Sequence, residues 1–390
     1  MKYDFHEIID RSENNSLKYD ELDSMFGRKD LYSLWVADMD FKVAPAIQKA
    51  LEDKVKEGIY GYTSRPDSYY GSMVNWYNRR YNWNIDKDLV LHSPSVVSSL
   101  SLMVQEFTKP GDKIIIQPPV YYPFSNVVKN HGRKLVLNPL KEVDGKYYMD
   151  YEDLEEKIDE NTKLLILCNP HNPVGRVWTK EELEKLGNIC IKKGVKIVSD
   201  EIHGDLTLWG RRYTPLGSIS EEFRKNTITC LSTSKTFNLA GVQASFIVVP
   251  DKEDFEKLDR VMGLYDVSRN NCFSLVAVEA ALTHGEEWLE ELLVYLGENI
   301  EFLIDYCKNH MPKIVPNKPE GTYLVWLDCS NLNMTTKELD DFMINKAKVA
   351  LDSGFWFGRE GKKYMRINVA CSRELIKMAL DSMKRAYDQL

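Results

Sequence analysis

The chain has 390 residues, 43% of them hydrophobic and 28% charged, which is enough for a large core and for two domains or one large domain with an appendage. A formal net charge of −8 argues against a nucleic-acid or anionic-membrane partner. Seven widely spaced cysteines with no Cys-x-x-Cys predict reduced thiols in a cytoplasmic protein, and neither disulfides nor a metal site.

Residues 1–44 show little periodicity. Pro45 opens a helical pattern through about Glu57, with Ala46, Ile47, Ala50, Leu51 and Val55 at spacings of three and four. Gly58–Pro66 breaks it. Strands are expected at Lys113–Gln117, Lys134–Leu137, Lys163–Cys168, Val195–Ser199, Thr227–Leu231 and Ala244–Val249. Several are apolar almost throughout, as strands covered on both faces are. Lys180–Lys193 reads as a helix, with Thr179 and Glu182 at the spacing of a capping box. This alternation predicts an α/β fold with a mostly parallel sheet. From about Glu286 the pattern becomes two long helical stretches, a strand at Tyr323–Leu327, a helix from near Thr336, a short strand at Tyr364–Val369 and a closing helix. The expected organisation is an N-terminal arm, 1–44, packing on the smaller domain or on a partner, a large domain, 45–285, and a smaller α+β domain, 286–390. No stretch approaches ~18 apolar residues, and Met1–Arg11 lacks the pattern of a signal peptide, so neither a membrane span nor a leader is expected.

In open α/β sheets, ligands collect at the carboxyl ends of the strands, and five polar motifs fall at such ends. His92-Ser93-Pro94-Ser95-Val96-Val97-Ser98 leads into a helix, where free amides cradle an anion or Ser95 is a simple N-cap. Pro118-Pro119-Val120-Tyr121-Tyr122 offers an aromatic ring for stacking, or for core packing. Asn169-Pro170-His171-Asn172-Pro173-Val174-Gly175-Arg176 fixes an irregular loop that holds an amide donor, or is a structural turn. Asp200-Glu201-Ile202-His203 places a carboxylate where a protonated ring nitrogen would sit, or caps a helix. His203 has no second ligand at a metal-binding spacing. Last, Thr227–Gly241 runs from a β-branched strand into a polar turn holding Ser232, Ser234 and Lys235. A lysine in such a turn can lose its proton and form an imine with an aldehyde. Together, in this order, the motifs match one cofactor with a phosphate, an aromatic ring and an aldehyde.

The constellation resembles the fold type I pyridoxal-phosphate enzymes of the aminotransferase class I/II superfamily, and within it the cystathionine β-lyase branch of the MalY/PatB type. The resemblance rests on Leu34-Trp35-Val36-Ala37-Asp38-Met39-Asp40-Phe41, Pro119–Phe124, Leu167–Arg176 and Ser234-Lys235-Thr236-Phe237-Asn238-Leu239-Ala240-Gly241, and it runs from about residue 2 to the C-terminus. It implies pyridoxal 5'-phosphate bound as an imine to Lys235, the catalytic residue. Asp200 pairs with the pyridine nitrogen, Asn172 and His203 lie near the ring oxygen, and Tyr121 stacks on the ring. Ser95, Val96, Val97, Ser232 and Ser234 surround the phosphate, and Tyr62 reaches the phosphate of a neighbouring subunit. Arg366 clamps the substrate α-carboxylate, with Trp35, Ala37 and Tyr121 at the same end. Many aminotransferases of this superfamily carry a phosphate-binding arginine eight residues after the lysine; here that position is Gln243.

The resemblance further implies a cytoplasmic homodimer with a shared active site, serving methionine biosynthesis. It would cleave L-cystathionine or related cysteine S-conjugates to a thiol, pyruvate and ammonia. Transamination shares the same lysine, aspartate and arginine and is the main alternative. A regulatory role through a transcription factor is a further one.

Overall fold

Seven strands form the central sheet in the computed structural model, which describes residues 2–390. They are β1 (Val90–Ser93), β2 (Lys113–Ile116), β3 (Lys134–Leu137), β4 (Thr162–Cys168), β5 (Lys196–Asp200), β6 (Thr227–Leu231) and β7 (Ser245–Val248). Their order across the sheet is β1-β7-β6-β5-β4-β2-β3. Only β7 runs antiparallel to its neighbours, β1 and β6. The mostly parallel α/β expectation therefore holds. The unforeseen strand is β1: after a 3₁₀ turn it has only two apolar residues, Val90 and Leu91, before the polar His92 and Ser93, so no apolar run marks it.

Alternating side chains of β4 explain its apolar run. Leu164, Ile166 and Cys168 point to one face, with Leu100 and Met103 of the helix α3 (Val96–Phe107) in the same cluster. Leu165 and Leu167 point to the other, with Leu183 and Leu186 of the helix α5 (Lys180–Lys193). Helix α5 opens on the predicted capping box: Thr179 Oγ1 accepts from the Glu182 amide at 3.2 Å, and the Glu182 carboxylate accepts from the Thr179 amide at 2.9 Å. Helices α1 (Pro45–Glu57) and α2 (Asp67–Tyr81) come before α3, and α4 (Pro123–Asn130) follows β2. Helix α1 has the predicted bounds.

After helices α6 (Lys252–Leu264) and α7 (Cys272–His284), the two long helical stretches expected from Glu286 are one continuous helix, α8 (Glu286–His310), of 25 residues. It contains no proline, and its one internal glycine, Gly297, is buried, so no breaker divides it. A four-stranded sheet follows, with β8 (Val315–Pro316), β9 (Leu324–Asp328), β10 (Asp352–Ser353) and β11 (Tyr364–Asn368) in the order β8-β9-β11-β10. The closing helix, α9, spans Arg373–Tyr387.

The N-terminal segment crosses this region. Phe5 packs against Phe41, Trp288 and Tyr295 with ring centroids 5.2, 5.7 and 5.5 Å away. Tyr32 and Ser33 pair in parallel with Val349 and Ala350, and Asp40 donates its amide to the Ala370 carbonyl. Residues 34–41 thus lie between the C-terminal sheet and the turn after β6, where the Asn238 side chain bonds the backbone of Met39 and Phe41.

Candidate active site

Parallel strands put their carboxyl ends on one edge, and the turns after β1, β2, β4, β5 and β6 line a single cavity of about 270 Å³ there. Every residue predicted for the cofactor or the substrate lines this cavity except Tyr62. Register explains the centre of it. Asp200, the last residue of β5, stands opposite Cys168 on β4 and Cys230 on β6. The Asn169 amide then bonds the Asp200 carbonyl at 2.9 Å, which ties the Asn-Pro loop to the carboxylate strand.

The Asp200 carboxyl is buried and accepts a hydrogen bond from the Ile202 amide at 3.2 Å. Burial pushes it up to about 7; the Ile202 amide and the Lys235 charge pull the other way. It is a carboxyl short of a cation. Lys235 donates from Nζ to the Ala37 carbonyl at 2.6 Å, and the Tyr323 hydroxyl donates to the same oxygen at 2.9 Å. Burial, and then the nearby Arg366 charge, bring the Lys235 ammonium down to about 8, against the pull of Asp38 and Asp200. A neutral amine is therefore accessible near neutral pH. His203 is buried, held neutral by burial at a pKa of about 3, and its Nδ1 has no protein partner.

Arg366 enters from β11. Its Nη1 donates to Asn172 Oδ1 at 3.0 Å, and its Nη2 donates to the Trp35 carbonyl at 3.0 Å and to the Asp352 carboxylate. The guanidinium lies 4.8 Å from the Phe357 ring centroid, and Nε has no partner. The Tyr121 amide donates to the Asn172 carbonyl at 3.1 Å, and the Tyr122 ring leans on Trp356 and Phe357. Of the aromatic residues near the C-terminus, Phe357 and Tyr364 pack on Trp326 in the core.

Ser95, which also lines the cavity, caps α3 by accepting from the Ser98 amide at 3.1 Å. Its hydroxyl is engaged in the cap, while the first-turn amides of Val96 and Val97 lack intrahelical partners. Ser232 Oγ donates to the Ala244 carbonyl at 2.7 Å and accepts from the Ser234 amide at 3.1 Å. Gln243 is exposed and does not line the cavity. Tyr62 is 95% exposed, in a loop tied down by Thr63 and Arg65, which donate to Asn270. The Arg269 guanidinium lies 5.4 Å from its ring centroid.

Sequence reasoning missed three groups. Asp352, on β10, lies in a segment with no pattern of its own. Tyr323 shows in the sequence only as the first residue of an expected strand. The third is a buried ion network beneath the Trp35–Phe41 segment: Lys18 Nζ lies 2.8 Å from Asp40 and 3.6 Å from Asp38, and Arg11 lies 2.6 and 2.8 Å from the same two. Asp38 and Asp40 stand in a recognised word, but nothing in the sequence marks Arg11 or Lys18. Among the described residues, no cluster of His, Cys, Asp and Glu is arranged to hold a metal. No helix among them is long and apolar enough to cross a membrane.

The family model for aminotransferase class I and II matches residues 30–383. The chain belongs to the aminotransferase class I and II family. Within it, the chain is similar to cystathionine beta-lyase PatB of Bacillus subtilis, at 41% identity over 99% of this chain and 100% of that protein. Among solved structures, a PLP-bound candidate aminotransferase of Clostridium difficile 630 is 52% identical with a TM-score of 0.97, covering 99% of this chain and 100% of that one. Cystalysin of Treponema denticola, whose structure contains pyridoxal 5'-phosphate, is 36% identical with a TM-score of 0.97, covering 100% of both chains. The fold is thus that of fold type I pyridoxal-phosphate enzymes.

Proposed function

We propose that this chain is a pyridoxal-phosphate-dependent carbon–sulfur β-lyase that cleaves L-cystathionine or a related cysteine S-conjugate to a thiol, pyruvate and ammonia. The observation that carries this is one cavity holding a lysine of lowered pKa, an unpaired buried carboxyl and a buried arginine. The name of PatB, a cystathionine beta-lyase, gives the lyase direction.

The residues fit the cofactor. Asp200 lacks a cation and a pyridinium N–H would supply one; His203 Nδ1 lacks a partner; the first turn of α3 and Ser232 line the same cavity, and a helix N-terminus suits an anion. Lys235, Asp200, His203, Asn172 and Tyr121 would hold the aldehyde and ring. Ser95, Val96, Val97, Ser232 and Ser234 would hold the phosphate. With glutamine at 243, amides and hydroxyls carry most of that binding. Bound there, the cofactor supplies an electron-withdrawing ring next to the substrate Cα.

Arg366 holds the α-carboxylate and sets the Cα–H bond in line for removal. Once the substrate amine has taken its place on the aldehyde, the freed Lys235 amine, neutral above about pH 8, would take the Cα proton and return a proton to the departing sulfur. Asp200 keeps the proton on the ring nitrogen. Tyr121 and Tyr122 line the same cavity, where the Tyr121 ring would stack on the cofactor. The domain division at residues 44 and 285 belongs to this reading, as do a cytoplasmic homodimer in which Tyr62 completes the partner's phosphate site and a place in methionine biosynthesis. Its exposure within one chain supports that role for Tyr62.

Purified holoprotein mixed with L-cystathionine is expected to release pyruvate and homocysteine with no keto acid added. Strict dependence on a keto acid would establish the aminotransferase alternative, which the Clostridium difficile relative's description favours. Retention of a gene-regulatory effect by Lys235→Ala would establish the regulatory one.

A further inference from the structure

We propose that Asp352 is an internal competitor for the substrate carboxylate: it occupies Arg366 in the ligand-free chain and must be displaced before Arg366 can bind a carboxylate through two parallel hydrogen bonds. This rests on Arg366 being the carboxylate clamp.

Guanidinium geometry carries the case. A carboxylate can dock side-on, using Nε–H with an Nη2 hydrogen, or end-on, using one hydrogen from each Nη. Both modes need Nη2. Here Nη2 has two hydrogens and two acceptors, the Trp35 carbonyl at 3.0 Å and the Asp352 carboxylate. The Trp35 carbonyl is backbone, and the Trp35 ring is itself pinned by Nε1 donating to the Lys18 carbonyl at 2.9 Å. Asp352 is the acceptor that can leave, by rotating its side chain.

Asp352 chemically mimics what it would yield to. It is a carboxylate, it lines the cavity, and it is buried with Arg366. Its backbone cannot move away, because Asp352 is the direct cross-strand partner of Arg366 in the β10–β11 pair. Meanwhile the Arg366 Nε–H stays buried and unpartnered, the empty half of a side-on site. An incoming carboxylate satisfies Nε and takes Nη2 from Asp352. The competition lowers affinity for carboxylates in general, so productive binding also requires contacts elsewhere on the substrate.

The test uses holoenzyme at one fixed pH and propionate, a carboxylate without an amine, as a competitive inhibitor of pyruvate release. Propionamide is its uncharged counterpart. Asp352→Asn keeps the size of the side chain and removes its charge. It is expected to lower the propionate inhibition constant about tenfold or more, with propionamide unchanged. Asp352→Ser is read the same way, and serves if the asparagine variant does not fold. Arg366→Lys is expected to raise the propionate constant. If it does, while both Asp352 variants leave that constant unchanged or raise it, the competitor idea is overturned and the clamp stands. Equal tightening of propionamide overturns it too, since added room would then explain the effect. A propionate constant indifferent to Arg366→Lys removes the clamp, and the proposal with it.

Discussion

Replacing Lys18 with methionine tests whether the N-terminal segment holds the floor of the site. Lys18 is completely buried, and its ammonium meets Asp40 at 2.8 Å and Asp38 at 3.6 Å. Burial disfavours the charge, yet the two carboxylates more than offset this and its pKa is raised. Methionine fills nearly the same volume but leaves the two carboxylates with Arg11 as their one remaining cation. Removing one partner of a buried pair costs about 3–5 kcal/mol. The remaining Arg11 contacts and the Tyr19 hydroxyl, 3.0 Å from Asp40, favour the lower end of that range. At about 2.1 cal/mol/K per residue, a chain of 390 residues has an unfolding entropy of about 0.8 kcal/mol/K, so Tm falls by about 4 °C. The assay is thermal unfolding followed by circular dichroism at two scan rates, because a chain this size can unfold irreversibly. A Lys18→Met, Asp40→Asn double variant should lose less than the two single losses combined, since it removes one charge of each sign. Cofactor affinity should weaken as well, because the Ala37 carbonyl that receives Lys235 lies in the braced segment. A Tm within 1 °C of the parent, with strict additivity in the double variant, would refute the bracing role.

Three further outcomes are expected. With the Lys235 ammonium near 8, the rate at which apoprotein captures pyridoxal phosphate should rise through pH 8 and level off above it. An ordinary lysine, with its pKa of 10.5, would keep rising, and stopped-flow absorbance separates the two curves. Asp200→Asn should cut pyruvate release by about 10²–10³-fold while the protein still binds cofactor, since a neutral amide cannot hold charge on the ring nitrogen; a loss under threefold counts against the pairing. Gly175→Ala should lower stability by about 1–3 kcal/mol in denaturant titrations, because Gly175 has φ +72° and a Cβ there collides with Pro319. The Gly175 carbonyl also receives the Glu320 and Gly321 amides, so the Asn172 loop should loosen with it.

Much of the site was legible because its parts are local. A strand ending in a polar turn is written within a dozen residues, and Asp200 and Lys235 are marked by their place at such ends. Helix α5 announced itself through Thr179 and Glu182. The expected pair of helices is the single helix α8 because an amphipathic period does not state where a helix must stop when breakers are absent. Strand β1 escaped because Val90 and Leu91 are followed at once by the polar His92 and Ser93, so no apolar run marks it. Asp352 escaped because its meaning comes from the strand opposite it, Arg366, fourteen residues away in the chain. Lys18 escaped because a buried lysine reads in sequence like a solvated one.

The sequence by itself determined six of the seven strands of the central sheet and the polar turns that follow them, and hence most of the side chains at the sheet's carboxyl edge. Side-chain period and turn chemistry act over a few residues. The tertiary structure alone decided which charges meet: Arg366 with Asp352 and Asn172, Lys235 with the Ala37 carbonyl, and Lys18 with Asp40. Those pairings depend on sheet register and on the path of the N-terminal segment. They also set how far burial lowers or raises each pKa, and so whether the lysine is an amine or an ammonium.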